Sequence, residues 1–472
     1  MRSIPILAAS RQPWRLERLK AWSLIFALGA LFVVGLALRL IWVFYTDTIP
    51  LGGDPHWYYV VAINLAEGFG FVSNSGSSLL GEQVGPGEPT AFWPPAYSFV
   101  LAGFWKVFGI DAASDVGLPS DASLTSAKVL NAVLGALIIP FVYALGRQIF
   151  DRRVGLFAAG LFAIFPNAIA WTPLLFPEQL FVLLFVAALW VLVAFPTASG
   201  RAWVPLVAFG VLVGLATLTR GQGAVLVPIA VLYWLTRAGW RPALRQTALV
   251  LLAMVVVIAP WTIRNWVVME SPILIASNGG VTLRIGHAPD STGTTMWPGD
   301  AVGGVESWQS LYRPDWEVRS YRVYTQRALA YALTHPRREL ELAGSKVYHL
   351  YRSDSGVIPW LTTLGSTPIR PQALEDALWR VFDYSYYLLL FAAVASVPLW
   401  LRRRPDRLLL VNVVLLWTLI HIVFQGEPRY HVPLYPVFSI AVAAGVWLAG
   451  ERSSALWRRW RSGGWSDSGG AA

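Results

Sequence analysis

The sequence predicts an all-α polytopic membrane protein: a bundle of about ten to twelve transmembrane helices, with interfacial helices in the first outer loop and a small extracytoplasmic domain. Three observations carry that expectation. The 472 residues are 56% hydrophobic and only 14% charged, with a mean hydropathy of +0.52, whereas a soluble domain carries about 25% charged residues. Many apolar runs approach the roughly 20 residues that a helix needs to cross hydrocarbon. The 24 tryptophans suit a chain with two membrane interfaces to line.

The elements follow in order. A basic N-terminal tail, 1–21, leads into a first span over 22–45, which is too long for a signal-peptide core. The stretch 46–125 is rich in Gly, Ser and Pro. It holds two amphipathic pieces, 57–68 and 95–108, each short for a span and so expected along the interface. Further spans are expected over 126–150, 154–171, 180–195, 203–218, 224–235 and 247–263, which closes an N-terminal bundle at 22–264. From 265 to 380 the chain turns polar and aromatic, with Ser277-Asn278-Gly279-Gly280 and a helix expected over 315–333; this is the extracytoplasmic domain. Spans over 384–401, 408–424 and 432–449 make up a C-terminal part, 381–450, and the tail 451–472 starts basic and ends in Gly and Ser.

Short loops set the orientation. With the N-terminus cytoplasmic, alternation places the basic loops at Arg147/Arg152/Arg153, Arg201, Arg237/Arg241/Arg245, Arg402/Arg403/Arg404/Arg407 and Arg452/Arg458/Arg459/Arg461 inside. The stretches 46–125 and 265–380 then fall outside. The formal net charge of +10 is read as a topology signal and as contact with anionic membrane lipid, not with nucleic acid. The absence of cysteine excludes disulfides and thiolate metal sites. The six histidines form no H-x-x-x-H or HExxH pattern, which disfavours zinc catalysis, and no G-x-x-x-x-G-K-S/T loop signals an ATP-driven pump.

On that topology a set of ionisable residues converges on the outer side. Asp54, Glu67, Glu82 and Glu88 lie in the first outer loop, Glu178 opens the fourth span, Arg220 and Arg264 sit at outer span ends, and Glu427, Arg429 and His431 lie between the last two spans. Charges at span ends are costly unless they pair or snorkel, so such a cluster points to a site. Each residue also has a plainer reading: Asp54 as a turn residue, Glu178 as a carboxylate at a helix N-terminus after Pro177, Arg220 and Arg264 as interface anchors, Arg429 as a structural partner of Glu427. Together these types suit transfer of a group from a phosphate. A carboxylate near an acceptor hydroxyl acts as general base, and Arg220, Arg264 and Arg429 stabilise the departing phosphate with bidentate geometry. Tyr58, Glu88, Lys346 and Tyr430 complete the candidate set as substrate contacts.

The ordered motifs carry a family resemblance. They are Gly53-Asp54-Pro55-His56-Trp57-Tyr58, Trp93-Pro94-Pro95-Ala96-Tyr97 with Phe108-Gly109, Arg152-Arg153-Val154-Gly155, Pro177-Glu178, Leu218-Thr219-Arg220 and Pro260-Trp261-Thr262-Ile263-Arg264-Asn265. Asn278-Gly279, Gly286-His287-Ala288-Pro289, His335-Pro336 and Arg429-Tyr430-His431-Val432-Pro433 complete the series. The chain resembles the polyprenyl-phosphate-sugar-dependent membrane glycosyltransferases of the GT-C class, among them bacterial relatives of protein O-mannosyltransferase and the lipid A aminoarabinose transferase. The resemblance implies a GT-C-like bundle in the plasma (inner) membrane with an extracytoplasmic active site. It implies a sugar donor on polyprenyl phosphate, inversion at the anomeric carbon, Asp54 as base, and Glu178 as an assisting or acceptor-binding group. No cofactor is expected, and no metal is required where arginines stabilise the charge. The acceptor is a lipid, a glycan or a protein. Asp54-Pro55 departs from the Asp-Glu pair of many protein mannosyltransferases, which weighs against a protein acceptor. The competing reading is a membrane transporter or a flippase of lipid-linked sugar, which favours charges near the bilayer midplane and broken helices in paired repeats.

Overall fold

The computed structural model describes residues 13–49, 53–73, 85–114, 120–195, 203–295, 314–363, 369–401 and 404–461. Glu82, Arg201, Arg402 and Arg403 fall outside them. Helices dominate. In chain order they are α1 (Pro13–Thr46), α2 (Gly53–Glu67), α3 (Ala96–Phe108), α4 (Asp121–Ile149), α5 (Arg152–Ile164), α6 (Pro166–Ala170), α7 (Glu178–Ala194), α8 (Trp203–Thr219) and α9 (Leu226–Ala238). Then come α10 (Trp240–Met269), α11 (Asn278–Gly286), α12 (Pro314–Thr334), α13 (Pro336–Tyr351), α14 (Val357–Thr362), α15 (Gln372–Trp400), α16 (Pro405–Val423) and α17 (Tyr435–Arg461). The one sheet among the described residues is a short antiparallel pair, β1 (Val72–Ser73) and β2 (Glu88–Pro89), with Val72 opposite Pro89.

Six helical stretches among the described residues are long and apolar enough to cross a membrane: Ser23–Thr46, Asp121–Ile149, Trp240–Met269, Gln372–Trp400, Asp406–Val423 and Pro428–Ser454. This is the all-α polytopic architecture the composition predicts. The spans expected over 154–171, 180–195, 203–218 and 224–235 are shorter helices of 13 or 17 residues, about 20–26 Å long at 1.5 Å per residue. Pro166 splits the first of these, because it has no N–H to continue the α5 ladder. α7 is buried along most of its length. The lipid-facing surface falls to α1, α10 and α15, which expose Phe26, Ile41, Val255, Val256, Leu388 and Phe391.

Small residues set the closest helix crossings. A Cβ on Gly155 would stand 2.6 Å from Tyr143 O, so α4 and α5 meet at backbone distance. Gly210 and Gly214 do the same for α8 on α10. The segment 57–68, expected along the interface, belongs to helix α2, whose Trp57, Tyr58, Tyr59, Val61, Ala62 and Ile63 are all enclosed by protein. The reason is α3, which buries Tyr97, Leu101 and Trp105 against α2 and presents Phe99, Val107 and Phe108 outward. α3 therefore shields α2 and carries the amphipathic face alone.

A buried polar network fixes the far side of the same end. Asp354, between α13 and α14, accepts hydrogen bonds from Asn167 Nδ2 and Tyr435 OH, and His431 Nε2 lies 3.3 Å from it. His431 Nδ1 sits 2.6 Å from Leu350 O. Asp383 of α15 accepts from the backbone N–H groups of Asp354 and Ser355 at 2.8 and 2.9 Å. These bonds hold the 3-10 turn Pro428–Leu434, which precedes α17, in one position.

Candidate active site

Asp54 stands in the first turn of α2, where a carboxylate is favoured by the helix dipole. Gly53 before it has φ +66°, and a Cβ there would stand 3.0 Å from the Trp360 ring. Gly53→Ala is therefore expected to cost about 1–2 kcal/mol of backbone strain, besides the contact with Trp360. A thermal midpoint at the wild-type value would contradict this. Glu178 opens α7 directly after Pro177 and is 2% exposed. Arg220 ends the α8 ladder, and its chain then tightens into the 3-10 turn Gly221–Val225. Arg429 rides on the turn Pro428–Leu434.

These four residues alternate in sign along one wall. Arg429 Nη2 donates to Asp54 Oδ2 at 3.0 Å, and Arg429 Nε lies 3.6 Å from Glu178 Oε1. Arg220 Nη1 donates to the same Glu178 Oε1. The Arg429 guanidinium is stacked 4.4 Å over the Phe176 ring, and Arg220 lies 5.2 Å over the Tyr430 ring. Burying any one of these charges alone costs several kcal/mol, so the formally neutral chain of two acids and two cations is what makes the wall tenable. Among the described residues, Glu178 Oε2 and Arg429 Nη1 are buried without a hydrogen-bond partner.

The wall closes a cavity of about 400 Å³ lined by Asp54, Tyr58, Glu178, Arg220, Arg429 and Tyr430. Six of the residues singled out from the sequence therefore meet at one place. Tyr58 packs 6.0 Å from Trp93 and 5.7 Å from Tyr97. Burial first, and then the Asp54 carboxylate, push its phenol well above the ordinary value, so Tyr58 serves as a neutral hydroxyl.

Three expected site residues lie elsewhere. Arg264 is not free for a phosphate at this cavity: its guanidinium donates to Thr90 O at 2.7 Å and Phe71 O at 2.8 Å, and it borders a separate apolar cavity of about 530 Å³ between α3, α8 and α10. Glu88 is exposed in β2. Lys346 is buried under the turn before Arg429, where its Nζ donates to Ile422 O at 3.0 Å and lies 3.4 Å from His287 Nε2. Burial pushes this ammonium down to about 8. In their place the cavity takes neutral polar residues to which the sequence reading gave no role: Trp93, Gln222, Asn278, Thr282, Tyr321 and Thr325. Trp93 and Asn278 stood in the quoted motifs; Gln222 and Tyr321 carry no local signal.

Residues 93–264 match the dolichyl-phosphate-mannose-protein mannosyltransferase family. None of the curated protein sequences matches the chain. In fold the chain is similar to the oligosaccharyltransferase AglB of Archaeoglobus fulgidus. Against its complex with an inhibitory peptide and a dolichol-phosphate, the TM-score is 0.54 at 16% identity, covering 96% of this chain and 53% of that one. Against the same enzyme in complex with Zn and sulfate, the TM-score is 0.51 at 17% identity, covering 90% and 49%. The chain thus spans about half the length of that relative. ArnT of Cupriavidus metallidurans, bound to undecaprenyl phosphate, aligns at a TM-score of 0.44 and 16% identity over 90% of this chain and 78% of that one. The resemblance read from the motifs is borne out: the family match covers Trp93-Pro94, Pro177-Glu178 and Leu218-Thr219-Arg220, and the fold is a GT-C-like bundle.

Proposed function

We propose that the protein is an inverting glycosyltransferase. It moves a sugar from a polyprenyl-phosphate donor to an acceptor hydroxyl at the outer face of the cytoplasmic membrane. The observation that carries this reading is the wall on which Arg220 and Arg429 are held beside Asp54 and Glu178. Asp54 takes the proton of the acceptor hydroxyl. The acceptor oxygen bonds to the anomeric carbon from the face opposite the phosphate, and a single displacement inverts that centre. The bond from the anomeric carbon to the phosphate oxygen breaks, and the electron pair leaves on the lipid phosphate. Arg220 and Arg429, which line the cavity, stabilise that growing charge. Glu178 sits between the two guanidiniums and holds both in place. This route draws its charge stabilisation from arginine and calls for no metal.

Two likenesses support the donor class. The matched family takes dolichyl-phosphate-mannose, and the archaeal enzyme of similar fold has been captured with dolichol-phosphate. The acceptor is a hydroxyl of a lipid, a glycan or a protein. The N-terminus and the basic loops face the cytoplasm, and the helices of 265–380 belong to the extracytoplasmic side with the cavity. The transporter reading fares worse, because Asp54, Glu178, Arg220 and Arg429 close on one another along one wall.

Titration calorimetry in detergent tests the phosphate site with undecaprenyl phosphate against undecaprenol. The phosphate form is expected to bind at least about tenfold more tightly, a difference of about 1.4 kcal/mol. Arg220→Met is expected to remove most of that difference. Equal affinity of the two lipids would contradict the assignment.

A further inference from the structure

One buried carboxyl outside the cavity gathers three donors from two distant segments. Glu317, in the first turn of α12, is 0% exposed. Its Oε2 accepts from Thr90 Oγ1 at 2.9 Å, and its Oε1 accepts from Ala91 N and from Ser277 Oγ, both at 2.8 Å. Two backbone bonds continue the junction: Ser277 N to Ala91 O at 2.9 Å and Asn278 N to Phe92 O at 3.1 Å. Arg264 of α10 grips Thr90 from its other polar end, through the carbonyl. Every strand of this junction runs on into the cavity wall. Trp93 and Pro94 follow Ala91, Asn278 and Thr282 follow Ser277, and Tyr321 and Thr325 lie one and two turns after Glu317. A Cβ on Gly280 would overlap Tyr321 O, so α11 lies directly on α12.

This part of the wall meets the base. Tyr58 is one turn beyond Asp54 on α2, and its ring is 6.0 Å from Trp93. Asp54 and the residues that the junction spaces therefore line one cavity. Resting on the glycosyltransferase reading, we propose that Glu317 is a positioning residue for the acceptor: by fastening 90–91 and 277 to α12, it sets the spacing of Trp93, Asn278 and Tyr321 around an uncharged, hydroxyl-bearing acceptor. The lining residues of this part offer amide, hydroxyl and aromatic surface and no charge. Glu317 acts through them and does not touch the reacting atoms.

The group also has a titration of its own. Burial pushes the Glu317 carboxyl up to about 7, opposed by the three donors and by Arg264. Arg264 is the charged group facing it from a neighbouring element; Glu88 beside Thr90 and Glu270 before the 271–278 loop are both exposed. Its folded-state value stands above the ordinary one, so its contribution to stability is fully present at acid pH and is lost as pH rises through about 7.

Hydrogen–deuterium exchange on the full chain tests the fastening without any substrate. Glu317→Ala is expected to speed exchange at 88–94 and 277–283 while leaving 215–222 and 428–434 at wild-type rates. Glu317→Gln is expected to keep wild-type exchange, since its amide oxygen still accepts from Ala91 N and Ser277 Oγ. Transfer of labelled sugar from undecaprenyl phosphate to total envelope extract then reads the function. Glu317→Ala is expected to raise the acceptor KM at least about fivefold, with donor KM and kcat held within about twofold, and Glu317→Gln restores the acceptor KM. The thermal midpoint of wild type relative to Glu317→Gln is expected to fall between about pH 5 and pH 8. Unchanged exchange in Glu317→Ala, a parallel loss of kcat and both KM values, or a pH-independent midpoint difference would each overturn the proposal. Exchange decides the fastening whether or not sugar moves. Wild-type protein that transfers no sugar at all overturns the glycosyltransferase reading, and the acceptor role with it.

Discussion

Asp54→Asn is expected to lower kcat for sugar transfer by about 10²–10⁴-fold while the protein stays folded. The amide cannot take the acceptor proton at neutral pH. Its oxygen can still accept from Arg429 Nη2, which now stands 3.0 Å from Asp54 Oδ2. Arg429 also keeps Glu178, at 3.6 Å, so no buried cation is stranded. The thermal midpoint and the affinity for undecaprenyl phosphate should therefore stay near wild type. Loss of kcat with lipid binding intact is the signature of a missing base. A kcat within about threefold of wild type would remove Asp54 from the proton step.

Arg429→Gln is expected to have the broader effect: transfer lost, lipid-phosphate binding weakened, and folding stability reduced by about 3–5 kcal/mol. Asp54 and Glu178 share Arg429, and Asp54 has no other cation among the described ion pairs. Glu178 retains Arg220, which is why the wall is expected to weaken rather than collapse. The guanidinium also fills the space over Phe176 and near Trp360, at 4.4 and 5.5 Å from the ring centroids. Arg429→Lys restores the charge without the planar fork that reaches both carboxylates at once. It should recover part of the stability and little of the transfer. Denaturant unfolding of both variants, paired with undecaprenyl phosphate titration, checks this. Stability and affinity both at wild-type values in Arg429→Gln would contradict the shared-cation arrangement.

The helical bundle was legible because apolar runs announce themselves locally, and span ends carry their own charges. Asp54, Glu178, Arg220 and Arg429 were found by that route: each flanks an apolar run, and alternation puts the four at one end. Their mutual pairing was not legible. Arg429 and Asp54 are 375 positions apart, and the sequence offered Glu427 as the nearer partner. The side chain of Glu427 instead accepts from Thr295.

Arg264 shows the limit from the other side. By position it looked like Arg220, at the outer end of a span. Its donors are spent on the carbonyls of Thr90 and Phe71, a choice made by the folding of the first outer loop and visible only in three dimensions. Lys346 was misplaced for a related reason. A lysine near the outer side suggests a ligand, but packing of α13 against α16 puts it under Ile422. Glu317 left no mark at all: one acid among the polar residues of a helix, important only because Thr90, Ala91 and Ser277 arrive there from far along the chain. The burial of α2 was not legible because it depends on α3, a helix that begins nearly 30 residues later.

The proposed function stands on a covalent transfer from lipid phosphate to an acceptor hydroxyl. The most direct test is to place the wild-type protein in proteoliposomes with undecaprenyl phosphate carrying a radiolabelled sugar, add total envelope extract, and separate lipid donor from product. Label is expected to leave the undecaprenyl phosphate and to appear in a lipid, glycan or protein fraction, in amounts that scale with the protein and with inverted anomeric configuration. Label that crosses the bilayer still attached to undecaprenyl phosphate, with no covalent product in any fraction, would contradict it and would make the protein a transporter of lipid-linked sugar.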